Sequence, residues 1–259
     1  MKDLLNTAID AAKEAGDFLY ENFGKHASIE SKSEKNLVTN LDKEAEEMII
    51  RKITAAFPGH SLLGEESGES STDSDYMWII DPLDGTHNFI RGIDVYGVSI
   101  GITYKQQFAG GVIYMPVSNE MYSAEKGSGS FKNGKKISVS SITDVSKCSL
   151  SYDSTIRENP EMILGILKHL SKEVFNIRMT GSSVRLLSYI AEGIFDISVE
   201  FCDSAWDFAA GAVLIQEAGG VITALDGSPL RYKSRGYLAA NPEIHPRIRD
   251  ILTPYLAVK

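Results

Sequence analysis

Apolar side chains fall every three or four positions from the start of the chain to Phe57, and afterwards in short runs and alternations, which predicts helices first and strands later. Leu5, Ala8, Ile9, Ala12, Ala15, Leu19 and Phe23 line one face of a first helix, and Gly24 follows where a helix ends. A polar stretch runs from Lys25 to Lys35. Leu41, Ala45, Met48, Ile49, Ile53 and Phe57 form a second stripe, opened by Asn40 or Asp42 and stopped by Pro58 and Gly59. Ser61 to Gly64 reads as a short strand ending in Glu65, Glu66 and Ser67, and the polar run Gly68 to Asp75 as a mobile loop. Trp78, Ile79 and Ile80 then form a buried strand that empties into Asp81, Pro82, Leu83, Asp84, Gly85 and Thr86, a stiff turn presenting two carboxylates.

Val95 to Tyr104, Phe108 to Tyr114, Glu120 to Ala124 and Gly129 to Phe131 are antiparallel strand material, with Asn133 and Gly134 marking a hairpin. From Cys148 strands alternate with helices. Ser149 to Tyr152, Val174 to Met179, Phe195 to Phe201, Val221 to Leu225 and Tyr237 to Ala240 are the strands. The helices run from Asn159 and Pro160 through Leu170, from Ser182 to Ala191 with Gly193 at the end, from about Trp206 to Glu217, and onward from Asn241 and Pro242. The chain divides softly into an α+β half, 1–143, and an α/β half, 144–259.

The composition changes this picture little but excludes several functions. Hydrophobic residues make up 43% of the 259 and charged residues 24%, ordinary values for a globular chain able to bury a sizeable core. With 26 basic and 35 acidic residues the net charge is −9, which argues against a nucleic-acid footprint. Cys148 and Cys202 are too few for a disulfide framework or a thiolate zinc site. The opening MKDLLNTAID is too polar for a signal peptide, and no apolar run approaches the ~20 residues that span a bilayer. A cytoplasmic protein is expected, with no membrane and no nucleic-acid partner.

Three acidic clusters stand at strand ends or helix starts: Glu65 with Glu66, Asp81 with Asp84, and Asp207 after Trp206. Taken singly they read as a solvated loop, a turn dipeptide and a helix cap. Gathered together they repel one another unless cations are bound, and such hard oxygen donors suit Mg2+ rather than zinc. A helix starting at or just after Asp84 would aim the amides of Gly85 and Thr86 at an anion, and the Thr86 hydroxyl could polarise a water. The five histidines show no HExxH spacing, and Walker, GxSxG and GxGxxG sequences are absent. Metal-aided phosphate hydrolysis is what remains.

GEES at Gly64 to Ser67, DPLDGTHNF at Asp81 to Phe89 and WDFAAG at Trp206 to Gly211 together resemble the signature set of the inositol monophosphatase family, Mg2+-dependent and lithium-sensitive phosphatases. The likeness continues through LVTNLD at Leu37 to Asp42, EKGSGSFKNG at Glu125 to Gly134, RMTGSS at Arg178 to Ser183 and EAGG at Glu217 to Gly220. The resemblance implies a layered αβαβα sandwich, a homodimer, and a metal site between the two halves. It implies a first Mg2+ held by Glu65, Asp81 and the Leu83 carbonyl, and a second held by Asp81, Asp84 and Asp207. Glu66 and Asp42 would lie behind these ligands or support a third, weaker ion through water. A water oriented by Glu65 and Thr86 would attack phosphorus in line, with Asp84 also in the catalytic set, Gly85 and Thr86 cradling the phosphate, and no covalent phosphoenzyme.

Glu200 matches the acidic residue that accepts hydrogen bonds from substrate hydroxyls in this family, and Ser183 stands where the animal enzymes have Ala. A small phosphorylated polyol, inositol monophosphate above all, is therefore the expected substrate. Relatives sharing the metal motifs hydrolyse histidinol phosphate, fructose 1,6-bisphosphate or 3'(2'),5'-bisphosphate nucleotides, and a regulatory, partner-binding role is the alternative outside enzymology. An Asp-nucleophile phosphatase is set aside, because Asp81 and Asp84 are three apart rather than two and lie far from the start of the chain.

Overall fold

The two predicted stripes fold as α1 (Lys2–Asn22) and α2 (Asn40–Ala56), packed side by side. The computed structural model describes residues 1–25, 29–33, 36–152 and 155–256. The polar stretch from Lys25 to Lys35 contains a strand, β1 (Ile29–Ser33), paired antiparallel with β2 (Asn36–Thr39), while 26–28, 34 and 35 lie outside the described residues. The cap of α2 is Thr39 rather than Asn40 or Asp42. Thr39 Oγ1 accepts from the Leu41 amide at 3.1 Å, and the Asp42 carboxylate accepts from the Thr39 amide at 2.9 Å. Asp42 thus occupies the third helical position of a capping box, three residues after the cap itself.

An eight-stranded mixed sheet follows. It is built from β3 (Ser61–Gly64), β4 (Gly68–Ser70), β5 (Tyr76–Asp84), then, after the short helix α3 (Thr86–Arg91), β6 (Gly97–Tyr104), β7 (Gln107–Met115), β8 (Glu120–Glu125), β9 (Gly129–Lys132) and β10 (Lys135–Ile137). The strand order is β10-β9-β8-β7-β6-β5-β3-β4, all antiparallel neighbours except the parallel pair β3 and β5. The predicted hairpin at Asn133 and Gly134 joins β9 to β10. The run Gly68 to Asp75 is not wholly a loop: its first three residues pair with β3 as an exposed edge strand.

The second sheet takes β11 (Ser149–Tyr152), β12 (Asn176–Arg178), β13 (Ile197–Glu200), β14 (Val221–Thr223) and β15 (Tyr237–Ala240), in the order β12-β11-β13-β15-β14. Its helices are α4 (Pro160–Leu170), α5 (Ser183–Glu192), α6 (Ala205–Glu217) and α7 (His245–Leu256). The last helix starts later than predicted. Asn241 still acts as a local cap, its Oδ1 accepting from the amides of Glu243 at 3.1 Å and Ile244 at 2.9 Å, but those residues form a turn before the helix.

Three apolar clusters define the layers. One joins α1 and α2 to one face of the large sheet, a second joins the other face to α5 and α6, and a third joins the far face of the small sheet to α4 and α7. The order is helices, sheet, helices, sheet, helices, the αβαβα sandwich expected. Helix α6 is apolar on every side because it lies in the middle layer with sheets on both flanks. It lies unusually close to the large sheet. A Cβ added at Gly111 would sit 2.4 Å from the Ala210 carbonyl oxygen, and one at Gly101 2.5 Å from the Ala209 Cβ. At its far end Glu217 accepts from the amides of Gly127 at 2.7 Å and Gly129 at 2.8 Å, which latches α6 to the β8–β9 turn and joins the EAGG and EKGSGS segments in space.

Candidate active site

The predicted turn after Ile80 is strand: β5 continues to Asp84. Along a regular strand, positions three apart face opposite sides of the sheet. Here the pairing with β6 slips, with Asp81 opposite Ser99 but Asp84 opposite Gly97, so that one extra residue is absorbed between them. This bulge, at a proline that has no amide to donate, turns Asp84 back to the side of Asp81. Oxygens of Asp81, Asp84 and Asp207 consequently lie within 4.8 Å of one another.

Each carboxylate is fixed by its surroundings. Asp81 Oδ1 accepts from the Leu83 amide at 3.0 Å. Asp84 takes the start of α5: Oδ1 accepts from the Ser183 amide at 3.1 Å, and Oδ2 from the Ser182 hydroxyl and from the Val184 amide at 3.3 Å. Asp207, three residues into α6, accepts from the Ser204 amide at 2.6 Å, so the helix-capping reading and the site reading are both satisfied by one side chain. Glu65 follows β3, its amide donating to the Ile80 carbonyl at 3.1 Å, which ties it beside Asp81.

The electrostatics are those of a buried anionic cluster. Burial, then the charges of Glu65, Asp84 and Asp207, hold the Asp81 carboxyl well above the usual carboxylate range. Burial and the neighbouring Asp203, Asp84 and Glu65 do the same to Asp207, against the Ser204 amide. Burial pushes Asp84 up to about 6 despite its hydrogen bonds from Ser182, Ser183 and Val184. The donor set consists of hard carboxylate oxygens, and the groups acting on Asp81 are all acidic, so these residues fit a divalent cation of the Mg2+ type.

A carboxyl whose folded pKa exceeds its unfolded value favours the folded state while protonated, and that contribution is lost as pH rises through the folded value. Protein in EDTA is therefore expected to lose thermal stability as pH rises from the ordinary carboxylate range through about 6, the value to which Asp84 is raised, and beyond it as Asp81 and Asp207 ionise. Mg2+ at a hundred times its dissociation constant should add about 2.7 kcal/mol near pH 8. The gain should shrink as the carboxyls protonate, and a melting series over pH with and without Mg2+ checks both signs.

The cluster opens into a cleft of 1450 Å³ lined by Glu65, Asp81, Leu83, Asp84, Gly85, Thr86, Ser183, Glu200 and Asp207 among others. Gly85 caps α3 at φ +80, and a Cβ there would meet the Val95 carbonyl oxygen at 2.8 Å. Glu200, at the end of β13, is 5% exposed. Asp42 lies behind the cleft wall, 1% exposed, where its Oδ1 accepts from the Thr86 hydroxyl at 3.0 Å. Glu66 is absent from the cleft lining, and its backbone amide donates to Glu46 Oε2 at 3.0 Å. His87, which the sequence leaves as an ordinary histidine, lines the cleft. Arg185, in α5, turns away from the cleft to Glu120 at 2.7 Å and Ser118 at 3.0 Å.

Sequence reasoning missed Ser182 and Glu46. Ser182 lies within the quoted RMTGSS segment and is a standard helix cap, which was the available signal. Among the described residues no helix is long and apolar enough to cross a membrane.

Known proteins place the chain by family and fold. The profile of the inositol monophosphatase family matches residues 1–255. A protein of Aquifex aeolicus named fructose-1,6-bisphosphatase/inositol-1-monophosphatase is 37% identical, over 100% of this chain and 98% of its own length. The Nus factor SuhB of Pseudomonas aeruginosa is 34% identical, over 99% of this chain and 98% of its own. The crystal structure of the extragenic suppressor protein suhB of Bartonella henselae superposes with a TM-score of 0.93 at 32% identity, covering 96% of this chain and 98% of that one. A match that spans both sheets and every acidic segment leaves no part of the fold unaccounted for: the chain belongs to the inositol monophosphatase family.

Proposed function

We propose that the protein is a Mg2+-dependent phosphomonoesterase acting on inositol monophosphate or a similar small polyol phosphate. The observation that carries this reading is the convergence of Asp81, Asp84 and Asp207 within 4.8 Å of one another. Glu65, Asp81 and the Leu83 carbonyl would hold one Mg2+, and Asp81, Asp84 and Asp207 a second, with Asp42 and Glu66 supporting from behind. The ions supply Lewis acidity and a lowered water pKa when bound.

The protein's own residues do the rest. A hydroxyl has one proton and two lone pairs. Thr86 Oγ1 lies 3.0 Å from Asp42 Oδ1 and 2.9 Å from the Leu83 carbonyl oxygen, so its proton points inward and a lone pair is left for a water. Glu65 takes the proton from that water as its oxygen bonds to phosphorus in line with the ester oxygen; the bond from phosphorus to that ester oxygen breaks, and the departing alkoxide takes a proton from solvent to leave as the free polyol. Amides at Gly85 and Thr86 hold the phosphate, and Glu200 with Ser183 receives the polyol hydroxyls. Glu200 is buried at the cleft wall, so a substrate hydroxyl that reaches it adds a hydrogen bond shielded from water, and substrates are discriminated by whether they supply that hydroxyl. The family resemblance extends the reading to a cytoplasmic homodimer inhibited by lithium.

The test is steady-state hydrolysis, with and without Mg2+, of inositol 1-phosphate, histidinol phosphate, fructose 1,6-bisphosphate and adenosine 3',5'-bisphosphate. Inositol phosphate is expected to lead by about tenfold or more in kcat/KM, a difference of about 1.4 kcal/mol. The preference should collapse in Glu200→Ala. A lead for the fructose or nucleotide substrate would move the assignment to that reaction. The name of the Pseudomonas relative favours a second, partner-binding reading, and turnover of none of the four would put it first.

A further inference from the structure

Helix α2 carries two buried acids one turn apart, Asp42 and Glu46, 1% and 2% exposed. Asp42 reaches Thr86, as described above. Glu46 reaches the other side of the cluster: its Oε2 accepts from the Glu66 amide at 3.0 Å and its Oε1 from the Ser67 amide at 2.7 Å. These are the two peptide groups immediately after Glu65. The carboxylate also packs against the strand end, since a Cβ at Gly64 would lie 2.6 Å from Glu46 Oε2. The backbone at Glu65 is therefore gripped from two directions, by the Ile80 carbonyl next to Asp81 and by Glu46 through the following amides.

We propose that Glu46 is a positioning residue for Glu65, and that α2 acts as a rigid spacer between Glu65 and Thr86, the two groups to which the proposed function gives the water. The i, i+4 spacing places both acids on one helix face. The apolar face, with Ala45, Ile49 and Ile53 fully buried, anchors the helix in the core and prevents it from sliding. A charge-assisted pair of amide hydrogen bonds is stronger and more directional than neutral ones, which suits a group whose task is to hold a loop in register. Among the described residues Glu46 is bonded to no Lys or Arg, and a carboxylate buried in this way is an expensive way to obtain stability alone.

The inference rests on the reading of Glu65 as a metal ligand, and the test keeps the two separable. Mg2+ binding is measured by titration calorimetry, and hydrolysis of inositol 1-phosphate by steady-state kinetics, for the wild type, Glu46→Gln, Gly64→Ala and the exposed control Glu47→Gln. Glu46→Gln puts an amino group against one of the two amides; Gly64→Ala keeps the carboxylate but displaces it. Both are expected to weaken Mg2+ binding by about 10-fold to 100-fold, the usual effect of losing a group that orients a ligand. Both should lower kcat at saturating Mg2+ while the substrate KM changes by less than about threefold, because Glu46 touches no substrate. Glu47→Gln should behave as the wild type. Unchanged Mg2+ affinity and kcat in a folded Glu46→Gln or Gly64→Ala protein, with only a lower melting temperature, would make Glu46 merely structural and overturn the inference. Absence of Mg2+ binding by the wild type would instead remove the metal reading itself.

Discussion

Asp81→Asn is expected to abolish Mg2+-dependent hydrolysis, lowering kcat/KM by about a thousandfold or more, on the order of 4 kcal/mol of transition-state stabilisation. The same substitution is expected to make the metal-free protein more stable. Asp81 is 1% exposed, and burial together with Glu65, Asp84 and Asp207 opposes its ionisation. Asparagine keeps the oxygen that accepts from the Leu83 amide at 3.0 Å and removes one of the mutually repelling charges. Each kcal/mol so released raises the melting temperature of a protein of this size by roughly 2–4 °C. The sign with pH follows: below the usual carboxylate range wild type and variant should melt together, and the advantage of the variant in EDTA should grow as pH rises. Adding Mg2+ should reverse the order, since the wild type gains binding energy that the variant lacks. Melting curves at several pH values, with EDTA or Mg2+, check all three signs. An Asp81→Asn protein that retained turnover, or that melted below the wild type in EDTA at high pH, would contradict the account of this cluster.

Gly111→Val should have the largest effect on stability. The atom its side chain would meet is not a side-chain tip that swings aside but the backbone of α6, with the Ala210 oxygen at 2.4 Å and its Cα at 2.8 Å. Overpacking of this kind costs about 3 kcal/mol, lowering the melting temperature by roughly 6–12 °C. Because α6 carries Asp207 near its start, a shift of the helix away from β7 also spreads the carboxylate triad. The folded fraction is therefore expected to bind Mg2+ more weakly than the wild type. Denaturation followed by circular dichroism, with Mg2+ affinity measured well below the transition, separates the two consequences. Gly111→Ala should fall between the wild type and the valine variant.

The elements that the sequence made legible are those whose pattern is local. The stripes of α1 and α2, the Asn133–Gly134 hairpin and the Asn159–Pro160 start of α4 depend on neighbours a few positions away, and they appear where expected. The acidic segments were legible for the same reason, each standing at the edge of an apolar run. Tertiary context decided the rest. Glu46 sits in the run Lys43, Glu44, Ala45, Glu46, Glu47, which reads as a solvated helix face; it is buried because the backbone of residues 65–67, twenty positions onward, comes down on it. Its spacing with Asp42, Ile49 and Ile53 was the one local signal of burial. Strand β4 has three exposed residues and no alternation to read, and pairs only because β3 is beside it. The expected turn at Asp81 to Asp84 failed differently. Proline and glycine do punctuate the chain there, but the proline marks a bulge within a strand that keeps its pairing to β6, and the glycine caps the helix that follows it.

That bulge makes the spacing of Asp81 and Asp84 a matter of odd and even rather than of distance. Removing one residue between them would restore regular alternation, yet it would shorten the segment and pull Asp84 off the amides of Ser183 and Val184. Inserting one would leave the second carboxylate pointing toward α1 and α2. The stretch from Gly68 to Asp75, edge strand and loop together, carries no such parity, since its described residues are almost all exposed and none lines the cleft. Changes of chain length are therefore absorbed within Gly68 to Asp75 and refused between Asp81 and Asp84, a frame within which new loops can be grafted beside the site without altering its chemistry.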